Sequence, residues 1–134
     1  MAEQSFANYS VLVIDDETFT RTVLARMLGG LGFKAVFQAE DGQSGITAVR
    51  DFDPDVVVCD VQMKPMDGLG FLRALRHNGV SGARGIAPEV VFMTNRLDAE
   101  MQQEAQSLGS NQVLLKPVTP GQLKTALAGC LPGT

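Results

Sequence analysis

Five short apolar runs punctuate the chain, and a stretch of helical spacing follows each one. "YSVLVID" (Tyr9–Asp15) reads as a buried strand, and so do "KAVFQA", "PDVVVCD" (Pro54–Asp60), "PEVVFMT" (Pro88–Thr94) and "NQVLLK" (Asn111–Lys116). After the first run, Phe19, Val23, Leu24, Met27, Leu28 and Leu31 recur at three and four residues, with Thr18 as a candidate cap and "GGLG" as the stop. "DGQSGITAVRDF" predicts a second helix that ends before Pro54. Asp67 is a candidate cap for "GLGFLRALRHN", where Leu69, Leu72 and Leu75 share a face. Leu97, Met101 and Leu108 define a fourth helix that ends at Gly109, with Asn95 as its candidate cap. Thr119, Pro120 and Gln122 form a capping box with proline in the first turn, and Leu123, Ala126, Leu127 and Cys130 then face a core.

Strands alternating with helices, and strands apolar on both faces, require a parallel sheet covered on both sides. Right-handed crossovers make that an α/β doubly wound sandwich. The length of 134 residues suits one domain, residues 1–134, with residues 1–8 as a short extension before the first strand.

Composition narrows the function. The chain is 45% hydrophobic with a net charge of -4, so it can bury a core and offers no basic footprint for nucleic acid. No apolar run is long enough for a membrane span, and "MAEQSFANYS" has no secretory pattern. Cys59 and Cys130 are in no metal-ligand or CxxC spacing and read as free thiols of a reducing, cytoplasmic compartment. One histidine, His77, leaves little material for a histidine metal site or a Ser/His triad.

The polar residues fall at the strand ends. The first strand ends in Asp15-Asp16, the third in Asp60, the fourth in Thr94 and the fifth in Lys116. An open parallel sheet binds ligands outside the carboxyl ends of its strands, so these residues converge on one pocket. Three carboxylates together repel, and a hard divalent cation such as Mg²⁺ resolves that repulsion. Lys116 adds a point charge for a carboxylate or phosphoryl oxygen. The set can bind Mg²⁺, present a nucleophilic carboxylate and hold a phosphoryl group. Read alone, Asp15-Asp16 has a second explanation, since carboxylates also suit a helix N-terminus.

"VLVIDDE", "VVVCD", "PMDG", "VVFMT" and "LLKP", in this order and spacing, resemble the receiver domain of two-component response regulators, in the single-domain form of the chemotaxis regulator CheY. The resemblance implies a flavodoxin-like (βα)5 fold with strand order 2-1-3-4-5. It implies that Asp60 accepts a phosphoryl group from a sensor histidine kinase or a histidine phosphotransfer protein. Asp15, Asp16 and the backbone carbonyl of Gln62 would complete a Mg²⁺ site with Asp60. Lys116 would stabilise the transferring phosphoryl group, and Thr94 would donate to it and so switch the conformation. A partner protein would dock on the face of the fourth helix, fifth strand and fifth helix, where Met101, Gln102, Gln112 and Lys124 are candidates, with a homodimer through that face left open.

Three positions depart from the family pattern, and two more fall where family members vary. Val113 stands where an aromatic ring is usual, Lys64 where a proline is usual, and Asn95 where a small residue is usual. Gln62 and Arg96 occupy variable positions that the resemblance links to the lifetime of the phosphoryl group. These departures keep an alternative in view: a pseudo-receiver or phosphate-sink module with atypical switching. Lys64 reads equally well as an exposed loop lysine. Phosphatases of the haloacid dehalogenase type need a second aspartate two residues after the nucleophile, where this chain has Glu17 or Gln62. Flavodoxin-type cofactor binding needs a Ser/Thr/Gly-rich loop, and "DDETFTR" is acidic. The reading is therefore a signalling module rather than an enzyme with a separate substrate.

Overall fold

A computed structural model describes residues 5–110 and 112–132 of the chain. Part of the expected extension and Asn111, the expected start of the fifth strand, lie outside the described residues. The order is β1 (Ser10–Ile14), α1 (Thr18–Gly30), β2 (Ala35–Ala39), α2 (Gly42–Phe52), β3 (Val56–Asp60), α3 (Gly68–His77), β4 (Glu89–Thr94), α4 (Ala99–Ser107), β5 (Gln112–Leu115) and α5 (Pro120–Cys130). All strand pairs are parallel and the sheet order is β2-β1-β3-β4-β5, the flavodoxin-like arrangement expected.

Alternation along the strands divides the core in two. Leu12, Ile14, Val57, Cys59, Val90 and Phe92 meet α2, α3 and α4 through Ile46, Phe71, Leu72 and Ala105. Val11, Val13, Val56, Val58, Val91 and Met93 meet α1 and α5 through Leu24, Leu28, Leu123 and Leu127. Phe6, ahead of β1, is buried in this second half and stacks on Phe33 at 4.7 Å.

Two expected caps give way to others. Thr18 is the first residue of α1 and Glu17 holds the cap position, without a side-chain hydrogen bond. α4 is capped by Asp98, whose carboxylate accepts from the Glu100 and Met101 N–H groups, and not by Asn95. Asp67 does cap α3, accepting from Gly70 N–H, and the α5 capping box forms as expected. Phe19 and Leu97 depart from the predicted apolar faces. Phe19 is 75% exposed, and Leu97 precedes α4 and is 49% exposed.

At the opposite end of the sheet from the strand-end acids, Arg84 joins two loops. Its guanidinium donates to Asp53 Oδ2 at 2.6 Å, to Asp55 Oδ1 at 2.8 Å and to the Asp53 carbonyl at 2.9 Å. Asp53 ends α2 at a left-handed φ of 50°, a conformation aspartate tolerates better than most residues. The Arg84 hydrogen bond holds the Asp53 carboxyl below the usual aspartate value. Removing it with Arg84→Ala is expected to cost about 1–2 kcal/mol at pH 7, discounted for the half-exposed guanidinium. A depressed folded-state pKa means that the unfolded chain binds the proton first as pH falls. The stability gap between variant and parent therefore narrows as the pH drops through the acid range. Chemical denaturation at several pH values checks this, and a gap that widens toward acid contradicts it.

Candidate functional site

Ladder hydrogen bonds continue just past the strand ends. Asp15 N–H donates to the Ala39 carbonyl, Val61 N–H to Met93 and Lys116 N–H to Thr94. Alternation then sets direction. Asp15 continues Val11 and Val13, Asp60 continues Val56 and Val58, and Lys116 continues Leu114, all on the side of the sheet that faces α1 and α5. Thr94 follows Val90 and Phe92 and leaves from the other side.

The structure brings Asp15, Asp16, Asp60 and Lys116 together. Asp15 and Asp60 are buried, Asp16 is exposed, and the three carboxylates each place an oxygen within 4.8 Å of the others. Lys116 Nζ lies 3.1 Å from Asp60 Oδ2 and 3.5 Å from Asp15 Oδ2. Asp60 Oδ1 accepts from Gln62 N–H at 3.2 Å, and Asp15 Oδ1 accepts from Glu17 N–H at 2.9 Å. Burial pushes the Asp60 carboxyl above the usual aspartate value, and Lys116 opposes that rise.

Asp15 Oδ2 is buried and accepts no hydrogen bond. Lys116 Nζ stands 3.5 Å from it, and a buried carboxylate oxygen without a hydrogen bond in a cluster of three acids suits a hard divalent cation, bound directly or through a coordinated water. The donor set therefore fits such an ion, with oxygen ligands only. An open cleft of about 450 Å³ adjoins the cluster, lined by Asp16, Val61, Gln62, Met63, Lys64 and Asp67. A second groove, of about 390 Å³, runs between α1 and the β5–α5 connection, with Phe19, Val23, Met27 and Val118 along it and Lys116 at its end.

The remaining residues sit around this centre. Thr94 is fully buried. Lys64 is exposed, and among the described residues no ion pair joins it to the acids. Val113 is half-buried and lines a cleft of about 260 Å³ with Leu97, Gln102, Gln106 and Ser110. The Asn95 and Arg96 side chains are exposed, while their backbones turn toward Thr94 and Gln62. Sequence reasoning did not find Arg21, whose guanidinium donates to the Asp15 carbonyl at 2.8 Å and to Gln38 at 3.3 Å, pinning the β1 end from outside. A helix-surface arginine carries no signal of such a bond. Nor did it find that the Gln62 side chain reaches Thr94, 32 residues away.

A sequence profile of the response regulator receiver domain matches residues 11–128. The probable chemotaxis protein CheY of Rhizobium etli is 35% identical over 117 residues, 87% of this chain and 88% of the relative. A protein-glutamate methylesterase/protein-glutamine glutaminase of Anaeromyxobacter dehalogenans is 38% identical over 112 residues, and the chain spans 30% of that longer protein. Among solved structures, chemotaxis protein CheY4 of Vibrio cholerae superposes with a TM-score of 0.81 at 27% identity, covering 92% of this chain and 98% of that one. The chain belongs to the response regulator receiver domain family, and within it is CheY-like. No helix among the described residues is long and apolar enough to cross a membrane.

Proposed function

We propose that this receiver domain accepts a phosphoryl group on Asp60 from a phosphohistidine donor and changes conformation to control a partner protein. The observation that carries the reading is the contact of Lys116 Nζ with Asp60 Oδ2 at 3.1 Å inside a buried acidic cluster. An Asp60 oxygen attacks phosphorus, the donor's P–N bond breaks, and the electron pair leaves on the imidazole nitrogen. Lys116 stands where charge grows on the transferring oxygens, and a positioned cation there lowers the barrier electrostatically. Mg²⁺ would be held by Asp16, Asp60 and the Gln62 carbonyl, with Asp15 through water, and would neutralise the phosphoryl oxygens. The chemistry consists of uptake of one phosphoryl group and its later loss to water as inorganic phosphate, with no separate organic substrate.

Two surfaces support the partner assignments. The groove beside Lys116, with exposed Phe19 on its rim, suits a helical histidine donor. On the face proposed for the target, Leu115 of β5 and Lys124 of α5 are exposed and Val113 is half-buried. Val113 cannot signal by burying a ring, so the conformational change runs through Thr94 and its loop.

Acetyl phosphate supplies a small donor for the test. With Mg²⁺ the intact mass is expected to rise by one phosphoryl group, and with a chelator it is expected to stay unchanged. An unchanged mass under both conditions contradicts the reading and favours a module that signals by contact alone.

A further inference from the structure

Gln62 holds Thr94 and the start of the β4–α4 loop at the same time. Its Nε2 donates to Thr94 Oγ1 at 2.7 Å, and its Oε1 accepts from Asn95 N–H at 3.1 Å. The amide orientation is forced, because turning it over would set its NH₂ against the Asn95 N–H. Thr94 Oγ1 also accepts from Arg96 N–H at 3.2 Å and donates its hydrogen to the Arg96 carbonyl at 2.9 Å. A hydroxyl has one donor and two acceptor sites. All three are occupied, on a residue that is fully buried. Thr94 can therefore offer its proton to a new acceptor only by giving up the Arg96 carbonyl, and the two Gln62 bonds hold the loop against that exchange.

We propose that Gln62 is a positioning residue whose side chain clamps Thr94 and Asn95, so that release of this clamp limits how readily Thr94 turns to a phosphoryl group on Asp60. The gating half of this inference rests on the functional reading above, whereas the clamp itself does not. The side chain acts apart from the Gln62 backbone carbonyl, which a substitution leaves in place.

Gln62→Met keeps the length of the side chain and removes both hydrogen bonds. Amide exchange, measured by NMR on the protein without any phosphoryl donor, is expected to speed up about fivefold at Asn95, the effect of losing one ordinary hydrogen bond. Arg96 is expected to follow, while the β3 amides stay as they were. Unchanged exchange at Asn95 overturns the clamp, whatever the phosphorylation chemistry does. The second arm titrates beryllium fluoride with Mg²⁺, as a mimic of the acyl phosphate. Gln62→Met is expected to half-saturate at a concentration several-fold lower than the parent. Faster exchange with unchanged or weaker beryllofluoride binding overturns the gating role. If neither protein binds it, the Asp60 reading has failed, and with it the gating role; the exchange result still decides the clamp.

Discussion

Asp60→Asn is expected to take up no phosphoryl group from acetyl phosphate and, without metal, to melt above the parent. The first effect follows from chemistry, since the amide oxygen is a poor nucleophile and its acyl phosphate cannot form. The second follows from the environment of the carboxylate. Asp60 is 3% exposed, and desolvation raises its pKa despite Lys116 and the Gln62 N–H. A folded-state pKa above the unfolded value means that folding disfavours the ionised form. The native chain binds the proton first as pH falls, so the stability lost to Asp60 is greatest above its raised pKa and vanishes below the ordinary aspartate value. Asparagine has the same shape without the charge. Lys116 keeps Asp15 as a partner at 3.5 Å, so the substitution strands no cation. The melting gap between Asp60→Asn and the parent is thus expected to be largest at neutral pH and to close in acid. A variant that melts lower than the parent at neutral pH sinks this account of the charge. Opposite signs for stability and function mark a residue kept for its chemistry.

Gly68→Ala is expected to lose about 2 kcal/mol of stability, the balance between overpacking and a gain of about 1 kcal/mol in helix propensity. A methyl group on Gly68 would lie 2.5 Å from the Asp60 carbonyl oxygen and 3.0 Å from both the Phe92 ring and Val61 Cα. Two of those neighbours are backbone, so no rotamer change relieves the clash. α3 must move away from the end of β3, and the Gly68 N–H bond to the Val61 carbonyl, 3.0 Å long, stretches with it. Because Asp60 carries the carbonyl that is struck, phosphoryl uptake is expected to fall along with the melting temperature. Gly29→Ala is the control. It is in α1 with nothing within 4 Å of an added methyl group, so it is expected to be neutral or slightly stabilising. Equal effects at the two glycines would contradict the close-approach argument.

Much of this architecture is legible in the sequence because apolar positions with periods of 2 and 3.6 fall in separate segments. Val56–Asp60 has no polar residue before its last, and a parallel strand covered on both faces requires that. The acids converge because period-2 alternation carries Asp15 and Asp60 to the same side as the valines before them. The capping errors have a common cause. A cap needs an extended backbone placed where its side chain meets the N–H groups two and three residues on. Asn95 lies three residues ahead of the cap position of α4, out of register with its first turn, and Asp98 meets the geometry instead. Phe19 fits the helical spacing of α1, yet the stripe is wider than the face that the sheet covers. The Arg84 cluster and the Gln62 clamp join residues 29 to 33 positions apart. Local pattern carries no information about such pairs, and only the folded chain sets them side by side.

The location of the acyl phosphate tests the central claim most directly. After reaction with acetyl phosphate and Mg²⁺, borohydride reduction converts a phosphorylated aspartate to homoserine, and peptide sequencing by mass spectrometry reads its position. Homoserine at position 60, and none at 15 or 16, is the predicted result. Homoserine at 15 or 16, or none at all from a protein whose mass has risen, would contradict the assignment of Asp60 as the nucleophile at the end of β3.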